Sequence, residues 1–178
     1  MSPKTNDFSI RPLDHSFKGR MLVFEYQTDA VYEPVMDGWK MDVVRRTIPE
    51  AVEKRFTDAL FSEWLEEPAA FAAFDGEEWM GCVELNYERW NNRMRISNLL
   101  VEKSFRRMGV GRKLFETAVS YAKEKGARML VLETQTCNAP AIAFYLAMGL
   151  RLIGLDLYSY TNQDPERNEV RLEMGMPF

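Results

Sequence analysis

The chain has 178 residues, of which 46% are hydrophobic, 12% aromatic and 28% charged, with a formal net charge of −4. A chain of this size buries about 70% of its unfolded surface, so a core can form without disulfide or metal staples, and a charged fraction near the ordinary ~25% excludes global disorder. The longest apolar run, residues 139–150, is broken by Pro140 and Gly149 and is shorter than the ~20 residues that cross a bilayer.

Residues 8–12 alternate and read as a first strand closed by Pro12. Residues 21–32 and 39–48, rich in β-branched and aromatic side chains, predict a strand pair around Pro34, Asp37 and Gly38. Pro49 then opens an expected helix, in which Val52, Phe56, Leu60, Phe61, Trp64 and Leu65 recur at helical spacing before Pro68. Residues 69–74 and 79–87 flank Asp75-Gly76-Glu77-Glu78, a hairpin signal. A turn at Asn91-Asn92 leads into a strand over 94–101.

Gly109-Val110-Gly111 opens a helix through Lys125, with the apolar stripe Val110, Leu114, Phe115, Ala118, Val119 and Ala122. Gly126 stands where a helix-ending residue belongs. Residues 129–132 form a continuously apolar strand, as expected for one covered on both faces. Asn138 caps a second helix that has Pro140 in its first turn and Gly149 at its end. Closing strands over 150–158 and 169–174 flank an Asn162-Gln163-Asp164-Pro165 turn. The strand–helix–strand–helix order requires a parallel pair with a right-handed crossover. No repeat, low-complexity segment or linker is present.

Residues 1–7 contain no apolar stretch of leader type. Cys82 and Cys137 read as reduced thiols of a cytoplasmic protein. His15 is the single histidine and no Cys-x-x-Cys occurs, so a zinc or haem site lacks ligands. A Ser-His-Asp hydrolase would have to use His15, which reads instead as a solvated loop residue.

Charge is uneven along the chain. Residues 102–128 hold eight basic and three acidic residues, a local +5 that leaves −9 for the rest. One reading is a solvated helix face, another a local anion site. A nucleic-acid surface is disfavoured by a pI of 5.2 and by the lack of interleaved aromatics.

Glycines between a strand and a helix let several backbone N–H groups converge at the positive end of the helix dipole, which makes a phosphate cradle. Arg112-Lys113-Leu114 after Gly111 does not fit a P-loop, which needs Lys followed by Ser or Thr. Leu114 stands where a Rossmann fingerprint needs a small residue.

Arg106-x-x-Gly109-x-Gly111 resembles the Gln/Arg-x-x-Gly-x-Gly/Ala signature of the GNAT superfamily of N-acetyltransferases. Asn138-x-x-Ala141-x-x-Phe144-Tyr145-x-x-x-Gly149-Leu150 is similar to that superfamily's second motif. The resemblance covers the chain from about Phe71 onward. Leu132-Glu133-Thr134-Gln135 and residues 154–158 look most like the streptothricin acetyltransferases. One departure is Ser97-Asn98, where streptothricin-type members carry a Glu-Asp pair.

The resemblance implies an α/β (α+β) fold: a mixed, mostly antiparallel twisted sheet with a central parallel strand pair joined by a crossover helix. It implies one N-acetyltransferase domain over 1–178, with a divergent substrate-side part (1–68) and an acetyl-CoA-binding core (69–178). Leu99, Leu100 and Val101 would pair with the pantetheine arm, and Arg106, Arg107, Met108, Gly109, Val110, Gly111 and Arg112 would hold the phosphates. Asn138 would also bind the arm. Tyr145 would be the general acid, Glu84 and Glu133 candidate bases or substrate contacts, and Asp156 a substrate contact. The cosubstrate would be acetyl-CoA, with no metal, and the partner a small cationic amine, with no nucleic acid and no membrane. The residues leave open a homodimer, a protein or peptide amine as acceptor, and a non-catalytic acyl-CoA sensor.

Overall fold

The computed structural model describes residues 8–178; residues 1–7, on which the leader reading rests, lie outside the described residues. In chain order the elements are β1 (Ser9–Leu13), β2 (Met21–Asp37), β3 (Lys40–Ala59), β4 (Pro68–Asp75), β5 (Glu78–Glu88), β6 (Arg93–Val101), α1 (Val110–Glu124), β7 (Met129–Gln135), α2 (Ala139–Ala147), β8 (Arg151–Asp156), α3 (Asp164–Arg167) and β9 (Arg171–Pro177). Two compact units divide them. The first takes residues up to Leu22, Thr57–Val131 and Pro177–Phe178; the second takes Val23–Phe56 and Leu132–Met176.

In the first unit β1, β4, β5 and β6 form an antiparallel meander, and the start of β7 lies beside β6 as its parallel partner, reached through α1. The fold is therefore mixed α+β and mostly antiparallel with a parallel pair, as the sequence implies. Gly76, in the left-handed region at φ 59°, makes the expected β4–β5 turn. Pro12 lies inside β1 rather than closing it, opposite Phe71, and an edge strand tolerates the missing N–H. The stripe of α1 covers β4, β5 and β6 with Leu114, Phe115, Ala118 and Ala122 buried, and Tyr121 meets Phe71 of β4 edge-on, on the sheet face that Phe71 shares with Val83.

Gly81 pairs with Val101, and a Cβ there would overlap the Leu100 carbonyl oxygen and come within 2.9 Å of Val101 Cα. Both obstacles are backbone, so neither can swing away. Gly81→Ala is expected to lower stability by about 3 kcal/mol in urea denaturation, as overpacking at a fixed site does.

In the second unit β7, β9 and β8 lie side by side, β8 and β9 antiparallel with Asp156 opposite Arg171. β2 and β3 form a separate two-stranded ribbon, turned at Gly38 with φ 59°. The expected helix over 49–65 is absent: β3 continues to Ala59, and turns follow. The reason lies in the spacing. Residues four apart share one face of a helix, but they also share one face of a strand, so Val52, Phe56 and Leu60 satisfy both periods. Partners on β2 decide between them. Phe24 stacks on Phe56 with centroids 4.7 Å apart. Arg55 meets Glu25 at 3.1 Å and Arg46 meets Glu33 at 2.7 Å. Such cross-strand pairs stabilise a ribbon where local propensity is indifferent.

Candidate active site

The first unit carries the glycine loop. Gly109 sits at φ 86°, ψ −6° and caps α1 without any side-chain hydrogen bond to the first-turn N–H groups. Those groups are orphan donors by helix geometry. Nothing lies within 4 Å of where a Gly109 Cβ would point, so the bend is open on that side. Arg107, also left-handed at φ 66°, turns the chain into this bend. Arg106, Arg107 and Arg112 are exposed, and Arg106 Nε donates to the Val101 carbonyl at 3.1 Å, tying the loop back to β6. Backbone donors, dipole and arginines together suit a diphosphate.

Just upstream, β6 carries a bulge. Glu84 opposes Asn98 and Leu85 opposes Ile96, so Ser97 is the extra residue. Its Oγ is buried with no hydrogen-bond partner. Glu84 is only 1% exposed; its Oε1 accepts from Phe61 N at 2.6 Å and its Oε2 from Asn98 Nδ2 at 2.9 Å. Burial pushes this carboxyl above its usual range, against those two hydrogen bonds. Leu99, Leu100 and Val101 pair along one edge with Val83, Cys82 and Gly81.

Glu84→Ala is expected to cost about 2 kcal/mol or more in urea, because it leaves the Phe61 N–H buried without an acceptor. Glu84→Gln keeps an oxygen for Phe61, and Asn98 can turn its amide to match. A raised folded-state pKa stabilises fully below the unfolded value and is lost as pH rises through the folded one. The gap between the wild-type and Glu84→Gln midpoints should therefore shift in the variant's favour as pH rises from the model-peptide 4.5 to neutrality.

The second unit carries Glu133, Asn138, Tyr145 and Asp156. Asn138 caps α2 as expected, its Oδ1 accepting from Ala141 N at 3.3 Å. Tyr145 lies one turn before the helix end, half-buried, with its ring 5.6 Å from that of Phe144; burial raises its phenol to about 12. Glu133 meets Arg171 at 2.7 Å and accepts from Tyr160 Oη at 3.3 Å. Asp156 opposes Arg171 in register and accepts from Tyr158 N at 3.0 Å. Arg171 and Tyr160 thus both meet Glu133, and neither stood out in the sequence. His15 is exposed, as expected. No group of three potential metal ligands occurs among the described residues, and no helix there is long and apolar enough to cross a membrane.

This combination of a mixed sheet and an open glycine-led helix start belongs to a class of acyl-transfer folds. Residues 39–150 match the acetyltransferase (GNAT) family, and the chain belongs to it. The streptothricin acetyltransferase of Escherichia coli is 35% identical over 60% of this chain and 61% of its own length, so the chain spans less than two thirds of that relative. A nourseothricin acetyltransferase structure superposes with a TM-score of 0.76 at 30% identity, covering 96% of this chain and 98% of that one. A Bacillus anthracis protein assigned as a streptothricin acetyltransferase, solved in complex with acetyl coenzyme A, shares the fold at a TM-score of 0.79 and 23% identity over 97% of this chain and 98% of its own.

Proposed function

We propose that the chain is an acetyl-CoA-dependent N-acetyltransferase acting on a primary amine of a small cationic molecule of the streptothricin kind. The observation that carries this reading is the uncapped start of α1 behind Gly109, with an open bend before it and arginines around it. The family, and the antibiotic acetyltransferases that this chain resembles, support it. Two free, buried cysteines suit a reducing cytoplasmic setting.

In this reading Gly109, Val110, Gly111 and Arg112 direct N–H groups at the diphosphate, Arg106 and Arg107 add charge, and Met108 shapes the bend. Leu99–Val101 and the Asn138 side chain receive the pantetheine arm; the cap occupies the Asn138 oxygen and leaves its amide nitrogen as donor. Bound acetyl-CoA supplies an activated thioester. An amine with pKa of about 10.4 is only ~10⁻³ neutral at pH 7, so a carboxylate must take up its proton. We assign this to Glu133, which is more exposed than Glu84, and we assign Asp156 to holding the substrate's other positive charge.

Glu84, held on both oxygens, fixes the Ser97 bulge. Tyr145 remains protonated at neutral pH and faces a thiolate whose acid has pKa of about 8.5. Outright transfer from a phenol at about 12 is uphill by about 5 kcal/mol. The phenol therefore stabilises the departing sulfur through a hydrogen bond and keeps its own proton, while the free thiolate takes a proton from solvent in balance with the one Glu133 removes from the amine.

Thiol release from acetyl-CoA, followed across streptothricin, polyamines and lysine-ended peptides, tests the reading. Release with streptothricin or a polyamine supports it. Release with peptides alone would move the acceptor to protein amines. Tight acetyl-CoA binding without release in any case would leave a sensor.

A further inference from the structure

The second unit contains a cavity of about 450 Å³ whose lining includes none of the residues assigned to the proposed reaction. That volume falls within the ~300–1,000 Å³ of small-molecule sites. The lining comes from the ribbon (Thr28 and Val31 of β2 with Ile48, Pro49, Glu50, Val52 and Lys54 of β3) and from Cys137 and, at the end of α3, Arg167 and Asn168. The aliphatic side chains and the Cys137 thiol make an apolar trough. Burial pushes that thiol up, so it contributes no charge at neutral pH, and Tyr26 Oη lies 3.4 Å from its sulfur.

The three charged lining residues are not equivalent. Lys54 Nζ is 2.7 Å from Glu169 Oε1, so its charge is met within the unit. Arg167 donates one N–H to Gln163 Oε1 at 2.7 Å. The nearby Asp164 carboxylate feels the Arg167 charge but accepts its hydrogen bonds from Tyr160 N, Thr161 N and Thr161 Oγ1. The remaining guanidinium donors of Arg167 therefore stay free for a ligand acceptor. Glu50, exposed on β3, has no ion-pair or hydrogen-bond partner among the described residues. An acceptor-only carboxylate and a donor-only guanidinium thus line the same cavity, together with aliphatic side chains.

We propose that this cavity is a binding site for a small zwitterion with an apolar body, such as an apolar dipeptide, its ammonium set toward Glu50 and its carboxylate toward Arg167. A ligand that carries both charges on an apolar body suits this lining and a volume of about 450 Å³ better than a compact amino acid does. The site requires no acetyl transfer.

Calorimetric titration of the intact chain with phenylalanyl-leucine tests this, alongside the N-acetylated peptide, which lacks the ammonium, and the peptide amide, which lacks the carboxylate. The free dipeptide should bind saturably, and each blocked peptide about tenfold more weakly, the worth of one charge-assisted hydrogen bond. Glu50→Gln should remove the penalty for N-acetylation, and Arg167→Gln the penalty for amidation, while Ile48→Trp should fill the trough and abolish binding of all three. Both polar substitutions are at exposed positions, so the two discriminations remain readable even if Ile48→Trp fails to fold. Equal affinity for all three peptides, or no saturable heat with the free dipeptide, would overturn the assignment. Acetyl-CoA is left out of the titration, so failure here leaves the transferase reading standing.

Discussion

Glutamate at position 109 is expected to reduce acetyl-CoA affinity at least a hundredfold while the chain stays folded. Two effects act in the same direction. Gly109 sits at φ 86°, where a residue with a Cβ is strained by about 1–2 kcal/mol. The new carboxylate would also project into the open side of the bend before the α1 N–H groups, where the diphosphate is proposed to lie, adding like-charge repulsion and competing for the same donors. Gly109→Asn separates the two effects, because asparagine tolerates the left-handed region and brings no charge. It should bind acetyl-CoA much better than the glutamate variant. Calorimetry for affinity and circular dichroism for folding are the measurements; full affinity in a folded Gly109→Glu chain would remove the loop from the site.

Phenylalanine at position 145 should leave acetyl-CoA affinity unchanged and lower kcat by about a hundredfold, the lower end of what a hydrogen bond to a developing anion contributes. The ring stays and only the hydroxyl goes, so a purely structural tyrosine would leave turnover nearly intact. The pH profile gives a second readout. With the phenol at about 12, its proton is lost only as pH rises through that value, so Tyr145 imposes no falling limb between pH 7 and 10. The wild-type rate should climb there as the amine deprotonates. The Phe variant should climb in parallel, displaced downward.

The features legible in the sequence are those written in adjacent residues. The β4–β5 hairpin, the left-handed Gly109, the Asn138 cap and the stripe on α1 each depend on a few neighbouring positions, and each lies where the pattern puts it. The helix expected over 49–65 fails because apolar residues four apart obey both periods, and the deciding partners, Phe24, Glu25 and Glu33, lie on another strand. The polar pairs fail to show for a related reason. Glu84 meets Asn98 across 14 residues, in a register set by the extra residue Ser97, and a bulge shifts every pairing after it. Glu133 meets Tyr160 across 27 residues and pairs with Arg171, which reads as an ordinary strand charge. Ser97-Asn98 puts no carboxylate at its place on β6, but the position facing Asn98 on β5 holds Glu84.

Comparing acetyl-CoA with S-acetylpantetheine, which carries the same thioester and arm but no diphosphate, tests the phosphate-holding loop most directly. Acetyl-CoA should bind saturably with an affinity that weakens as salt rises, and S-acetylpantetheine should bind at least a hundredfold more weakly. Equal affinity for the two, or no saturable heat with acetyl-CoA, would contradict the account.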